Sequence, residues 1–135
     1  MEFNAVIKED GLHPVFGSDD ELLRRLKYGV EYKFKVTQPR NVGHHRKFFA
    51  LLNLCYQNQE KYNNFDHFRA VITMKAGYYD AIETDKGTIY LPQSISFAAM
   101  DQVEFEEYYK RLLDQVCIWL DTDREDIIEQ IVNFL

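Results

Sequence analysis

Cysteine is scarce in this chain, with two residues among 135, and so are proline with three, glycine with six and tryptophan with one. Two cysteines give no repeated spacing, so no disulfide framework is expected. Cys55 and Cys117 each fall inside an apolar stretch of helical spacing and read as buried free thiols in a reducing compartment. There is no run of about 18 apolar residues, so no membrane-spanning helix is expected. The opening residues, Met1 to Gly11, are mixed and charged and lack the long apolar centre of a signal peptide. Glycine-rich phosphate loops, Cys-x-x-Cys pairs, His-x-x-x-His pairs and Ser or Cys nucleophile motifs are all missing. The expectation is a soluble cytoplasmic protein with no catalytic residue, no metal and no cofactor.

What is present is apolar and aromatic. Hydrophobic residues make up 46% of the chain, with ten Phe and nine Tyr. That is enough apolar surface for a core and too much for a disordered chain. The length suits one domain, taken as 1–135, without internal repeats or a dividing linker.

The patterning predicts an α+β fold. Phe3 to Lys8 alternates and suits a strand, Glu9-Asp-Gly11 a turn, and His13 to Phe16 its hairpin partner. Ser18-Asp-Asp-Glu21 has the spacing of a capping box, opening a helix over Asp19 to Lys27 that ends near Gly29. Val30 to Thr37 reads as the clearest strand. Tyr32, Phe34 and Val36 share its core face, and Glu31, Lys33, Lys35 and Thr37 the opposite face. Pro39 stops it.

A helix then runs from His44 to Glu60, with Phe48, Leu51, Leu52, Cys55 and Tyr56 at buried spacing. Asn63-Asn64 breaks it. The next helix covers Asp66 to Ala76, with Phe68, Val71 and Ile72 inward and Gly77 as left-handed cap. Tyr78 to Thr84 and Thr88 to Leu91 form a hairpin around Asp85-Lys-Gly87. The loop Leu91 to Met100 is rich in small and apolar residues and is expected to pack over the core; a partner-binding role is the alternative.

Asp101, with Glu104 three residues on, caps a long helix to Leu120. Val103, Phe105, Tyr108, Leu112, Val116 and Trp119 line its inner face. Thr122-Asp-Arg-Glu125 opens a last helix, Asp123 to Asn133, with Ile127, Ile128, Ile131 and Val132 inward. The sum is a small, mostly antiparallel sheet packed with four to five helices.

Charge is the main clue to function. The chain is acidic at net −6, yet Arg24 to Lys47 holds eight Lys or Arg against one acid, Glu31. From Asp101 to the end the balance reverses, with ten acids and three bases. Within the basic island, Lys33 and Lys35 share a strand face, Arg40 lies in the turn, and His44, His45, Arg46 and Lys47 open a helix. Cations oppose the helix dipole at that end, which suits a role in binding phosphates, helped by first-turn N–H donors. Tyr32, Phe48, Tyr56 or Tyr62 offers a stacking face wherever one is exposed. The plainer reading is a solvated basic face paired with the acidic C-terminal helices.

Other sites read weakly. Adjacent His44 and His45 point about 100° apart on a helix and do not share an ion; His13 and His67 add no ligand spacing. Asp80, Glu83 and Asp85 are the only local carboxylate trio proposed for a nuclease metal, and a hairpin would scatter them.

Three segments carry a resemblance: His45-Arg-Lys-Phe-Phe-Ala-Leu-Leu-Asn-Leu54, Ala76-Gly-Tyr-Tyr-Asp80, and Ser94-Ile-Ser-Phe-Ala-Ala-Met-Asp101 leading to Phe105-Glu-Glu107. In order and spacing, from Leu22 to Leu120, they resemble a family of small uncharacterised proteins of lambdoid phages and prophages. The resemblance implies a phage origin and a bacterial host cytoplasm; it implies no activity. Over Val30 to Gln59 alone, the Lys-alternating strand, Arg-Asn turn and basic-aromatic helix start are similar to NinB-type recombination mediators, which bind single-stranded DNA. Here Gly43-His-His stands where that pattern has a small-polar-Gln run.

The expectation is therefore a non-enzymatic phage accessory protein that binds single-stranded or branched DNA through Lys33, Lys35, Arg40, His44, His45, Arg46 and Lys47. The alternative is a modulator of a host protein that presents its acidic helices as a nucleic-acid mimic. A homodimer is open in both.

Overall fold

A computed structural model gives the fold and describes residues 1–38, 41–95 and 100–132. It is α+β, with five helices and two antiparallel two-stranded sheets among the described residues. The chain forms two compact units, Met1–Arg40 and Asn41–Leu135.

The first unit is a hairpin and a short helix. Strands β1 (Ala5–Lys8) and β2 (Gly11–Pro14) pair with Ala5 opposite Pro14 and Lys8 opposite Gly11. Gly11 turns the chain at φ +130°, a conformation L side chains resist. Helix α1 (Gly17–Arg24) packs on β2.

The start of α1 is displaced from the expected capping box. Its N-cap is Phe16, and Asp19 rather than Glu21 reaches back, accepting from the Phe16 N–H at 2.9 Å. The same carboxylate accepts from the Asn4 N–H at 2.8 Å, tying the hairpin's entry to the helix. Burial raises the Asp19 pKa, and the N–H donors of Asn4 and Phe16 oppose that rise. Phe16 and Leu22 are the buried apolar residues of this unit.

The expected strand over Val30 to Thr37 is not formed. The segment is neither helix nor strand, and no backbone hydrogen bond joins residues 30–38 to another described residue. Tyr32, Phe34 and Val36, assigned to a core face, are exposed, and so are the residues between them. Alternation sets the direction of side chains; a strand also needs a ladder neighbour. Among the described residues the β1–β2 hairpin pairs with no further strand.

The second unit holds the main core. Helix α2 (Val42–Gln57) packs against α3 (Phe65–Lys75), α4 (Gln102–Leu120) and α5 (Arg124–Ile131). It is buried continuously from Phe48 to Tyr56, as a central helix should be. Each helix start in this unit has a side-chain cap. Asn41, Asn64, Asp101 and Asp123 accept from the N–H of His44, His67, Glu104 and Asp126. At α4 the box is reciprocal, with Glu104 accepting from the Asp101 N–H. At α5 the cap falls one residue after the expected Thr122, with Asp123 accepting from the Asp126 N–H at 2.9 Å.

Gly77, at φ +95°, ends α3 as expected. Its N–H reaches Met74 O and the Tyr78 N–H reaches Thr73 O, the paired bonds of a Schellman end. Strands β3 (Tyr79–Thr84) and β4 (Gly87–Pro92) follow around Asp85-Lys86, as the hairpin expectation has them. The fold thus has two separate hairpins rather than one sheet.

The helical stripe of α4 is Phe105, Tyr108, Leu112, Leu113 and Val116. Trp119 is half-buried at its edge, packed against Phe68 and Tyr62. Val103, Ile128 and Val132 are exposed, contrary to expectation, because they fall off the stripe that Phe105 and Ile127 set. Cys55 is buried and Cys117 half-buried; both are free. Leu91 and Pro92 belong to β4, and residues 96–99 of the expected packing loop lie outside the described residues, as does Asn133.

Candidate nucleic-acid interface

The seven basic or titratable positions do not share one environment. Lys33 and Lys35 stand exposed in the first unit, between Tyr32, Phe34 and Val36. Arg40 lies outside the described residues. The other four belong to α2 of the second unit.

There, the Asn41 cap fixes the first turn by accepting from the His44 N–H at 3.0 Å. This turns the His44 ring inward. It is buried and stacks on Phe105 at 3.9 Å between centroids and 6° between planes. Its Nε2 lies 2.8 Å from Gln102 Oε1. His44 is therefore packed between α2 and α4, with its ring out of solvent. Charge at the start of a helix marks a position, but the facing residue decides whether that position is wet.

His45 is half-buried and tilted against Phe49 at 4.7 Å. Burial, with Arg69 nearby, lowers its pKa, so at neutral pH it contributes no cation. Lys47 is exposed but sits over the Tyr109 ring at 4.5 Å. Arg46 is exposed.

No ion pair among the described residues involves Lys33, Lys35, Arg46 or Lys47. The pairs present are Arg24–Asp20, Arg111–Glu107 and His13–Asp10, each local in sequence, and Arg124–Asp114, which joins α5 to α4.

The aromatic partners also redistribute. Phe48 and Tyr56 are buried, and half-buried Tyr62 packs edge-on to Trp119. Tyr32 remains, its hydroxyl accepting from the Lys27 N–H at 3.1 Å, and Phe34 joins it, in edge contact with Phe3 at 6.4 Å. The sequence reading placed Phe34 in the core. Arg69 was also missed; it lies over the Phe48 and Phe49 rings at 5.3 Å and adds positive charge near His45. Its signal was available only through the packing of α3 on α2.

The carboxylate trio is dispersed. Asp80 and Glu83 occupy opposite-parity positions of β3, with Glu83 accepting from Thr88 at 2.7 Å, and Asp85 sits in the turn. Among the described residues no group of three His, Cys, Asp or Glu could hold a metal ion. No helix among them is long and apolar enough to cross a membrane.

Comparison with curated proteins and with solved structures yields no match. A family model described as Protein of unknown function (DUF1367) matches residues 2–61 and 57–125, spanning both compact units. The chain therefore belongs to the DUF1367 family of proteins of unknown function.

Proposed function

We propose that this is a phage-encoded accessory protein that binds single-stranded or branched DNA during recombination or replication of the phage genome. The observation that carries the reading is the exposed alternation Tyr32-Lys-Phe-Lys35, whose lysines make no ion pair among the described residues. Cations with exposed aromatic rings between them are what an unpaired strand needs, phosphate on one and base on the other. Arg46 supplies a further exposed cation near the start of α2, with no ion pair among the described residues. The resemblance of Val30 to Gln59 to NinB-type mediators supports the same reading.

Affinity for a single-stranded oligonucleotide should fall steeply with salt, because each neutralised phosphate releases counterions. Replacing Lys33, Lys35 and Arg46 together with alanine should flatten the logarithmic slope by about two, at roughly 0.7 per lost contact. Fluorescence anisotropy across a salt series reads this directly. Absence of binding at about 50 mM salt, where the effect is strong, removes the reading.

The proposed role is binding without catalysis. Purified protein should leave single-stranded, duplex and branched DNA intact with magnesium or manganese. Cleavage that vanishes in Asp80→Ala while binding persists makes it a metal-dependent nuclease instead.

A second reading, a modulator of a host protein, is favoured by the exposed acids Glu104, Glu106, Glu107, Glu125, Asp126 and Glu129 on α4 and α5. A helical face of this sign can imitate a phosphate backbone. Capture of a nucleic-acid-binding host protein, lost on addition of competing DNA, distinguishes it.

A further inference from the structure

The segment Val30-Glu-Tyr-Lys-Phe-Lys-Val36 is neither helix nor strand and has no backbone hydrogen bond to another described residue. It exposes four large apolar side chains: Val30 at 50%, Tyr32 at 39%, Phe34 at 55% and Val36 at 88%. Unpaired backbone with alternating apolar side chains is a template for another strand. The sequence of the segment specifies which strand.

Laid antiparallel on itself with Lys33 on the two-fold axis, it is self-complementary. Val30 faces Val36 of the second copy, Tyr32 faces Phe34, Phe34 faces Tyr32 and Val36 faces Val30, all on one side. On the other side Glu31 faces Lys35 and Lys35 faces Glu31. The one acid of the basic island thus meets an opposite charge twice per dimer, and each aromatic meets an aromatic, the two pair types that stabilise antiparallel ladders. Only the Lys33 pair on the axis repels, and both ammonium groups can splay into water. Shifting the register by one residue places apolar side chains opposite charged ones throughout. An isologous contact of this kind closes at two copies.

We infer that residues 30–36 form a two-stranded antiparallel ribbon with the same residues of a second copy, so that the protein is a homodimer. The inference shares Tyr32, Lys33, Phe34 and Lys35 with the DNA reading but is tested apart from it, because its test contains no nucleic acid.

Sedimentation at about 50 µM, suited to a small interface of micromolar affinity, should show a dimer for the wild-type chain. E31K places like charges opposite each other at both outer pairs, and K35E does the same with acids. Either single change should raise the dimer Kd on the order of tenfold. The double variant E31K/K35E restores both opposite-charge pairs and should restore the dimer. The segment packs into no core, so these changes leave folding intact, which circular dichroism checks. K33C should form a disulfide-linked dimer under mild oxidation, because a residue on the axis faces its own copy. K35C, offset from its own copy, should not. A wild-type monomer, a dimer indifferent to the single reversals, or cross-linking at position 35 in place of 33 overturns the proposal.

Discussion

Leu52→Ala is expected to lower the unfolding free energy by about 2–5 kcal/mol, the range for truncating a fully buried leucine. Leu52 is 0% exposed at the middle of α2, in a helix buried continuously from Phe48 to Tyr56. The neighbours on α3, α4 and α5 surround that helix, so collapse into the cavity is restricted and the upper half of the range applies. Trp119 is the one tryptophan in the chain and sits on α4 of the second unit. Its fluorescence therefore reports this unit without a contribution from the first, which matters where two compact units need not unfold together. In urea, with a slope of about 1–2 kcal/mol per molar for a unit of this size, the midpoint should fall by roughly 2 M. A midpoint within about 0.3 M of wild type, a cost well below the buried-leucine range, would mean that α2 does not present Leu52 to the core.

Phe105→Ala should cost about 3–5 kcal/mol for a different reason. Phe105 is 1% exposed and forms the stacked pair with His44 at 3.9 Å. Truncation removes an aromatic and leaves a buried imidazole facing a void, with Gln102 as its remaining polar partner. Phe105→Leu keeps apolar volume and should recover part of the loss, whereas His44→Ala in the Phe105→Ala background should add little. That non-additivity separates a coupled pair from two independent core residues. Additive costs would show that the ring stack does not link α2 to α4.

Local signals in the sequence were read well where one residue settles its own backbone. Gly77 as a left-handed end and the Asp101–Glu104 box are examples, and so is the Asp85-Lys86 turn. Each depends on chemistry within four residues. Caps with several candidate acceptors slipped: Asp19 takes the reach-back role read for Glu21, and Asp123 the cap read for Thr122. Neighbour identity was the larger gap. The period of Val30 to Thr37 is that of a strand, yet pairing is a property of a second segment, and none within the described chain supplies it. The same gap placed Phe34 inside and left His44 outside. Of the candidate site, Lys33, Lys35 and Arg46 were legible as exposed cations; the loss of His44 to packing and of His45 as a cation required the positions of Phe105 and Arg69.

The thiol of Cys55 has a practical consequence. Burial pushes its pKa up to about 12, and the side chain is 0% exposed in the last turn of α2. The reactive species toward an alkylating reagent is the thiolate, so in the closed protein Cys55 is silent. It reacts only in molecules whose α2 has opened to solvent. Half-buried Cys117 provides a second thiol with partial access. Alkylation followed by mass analysis therefore resolves a prompt mark at position 117 from a slow one at 55. The slow rate counts opening events of the central helix under native conditions, without denaturant or an added probe.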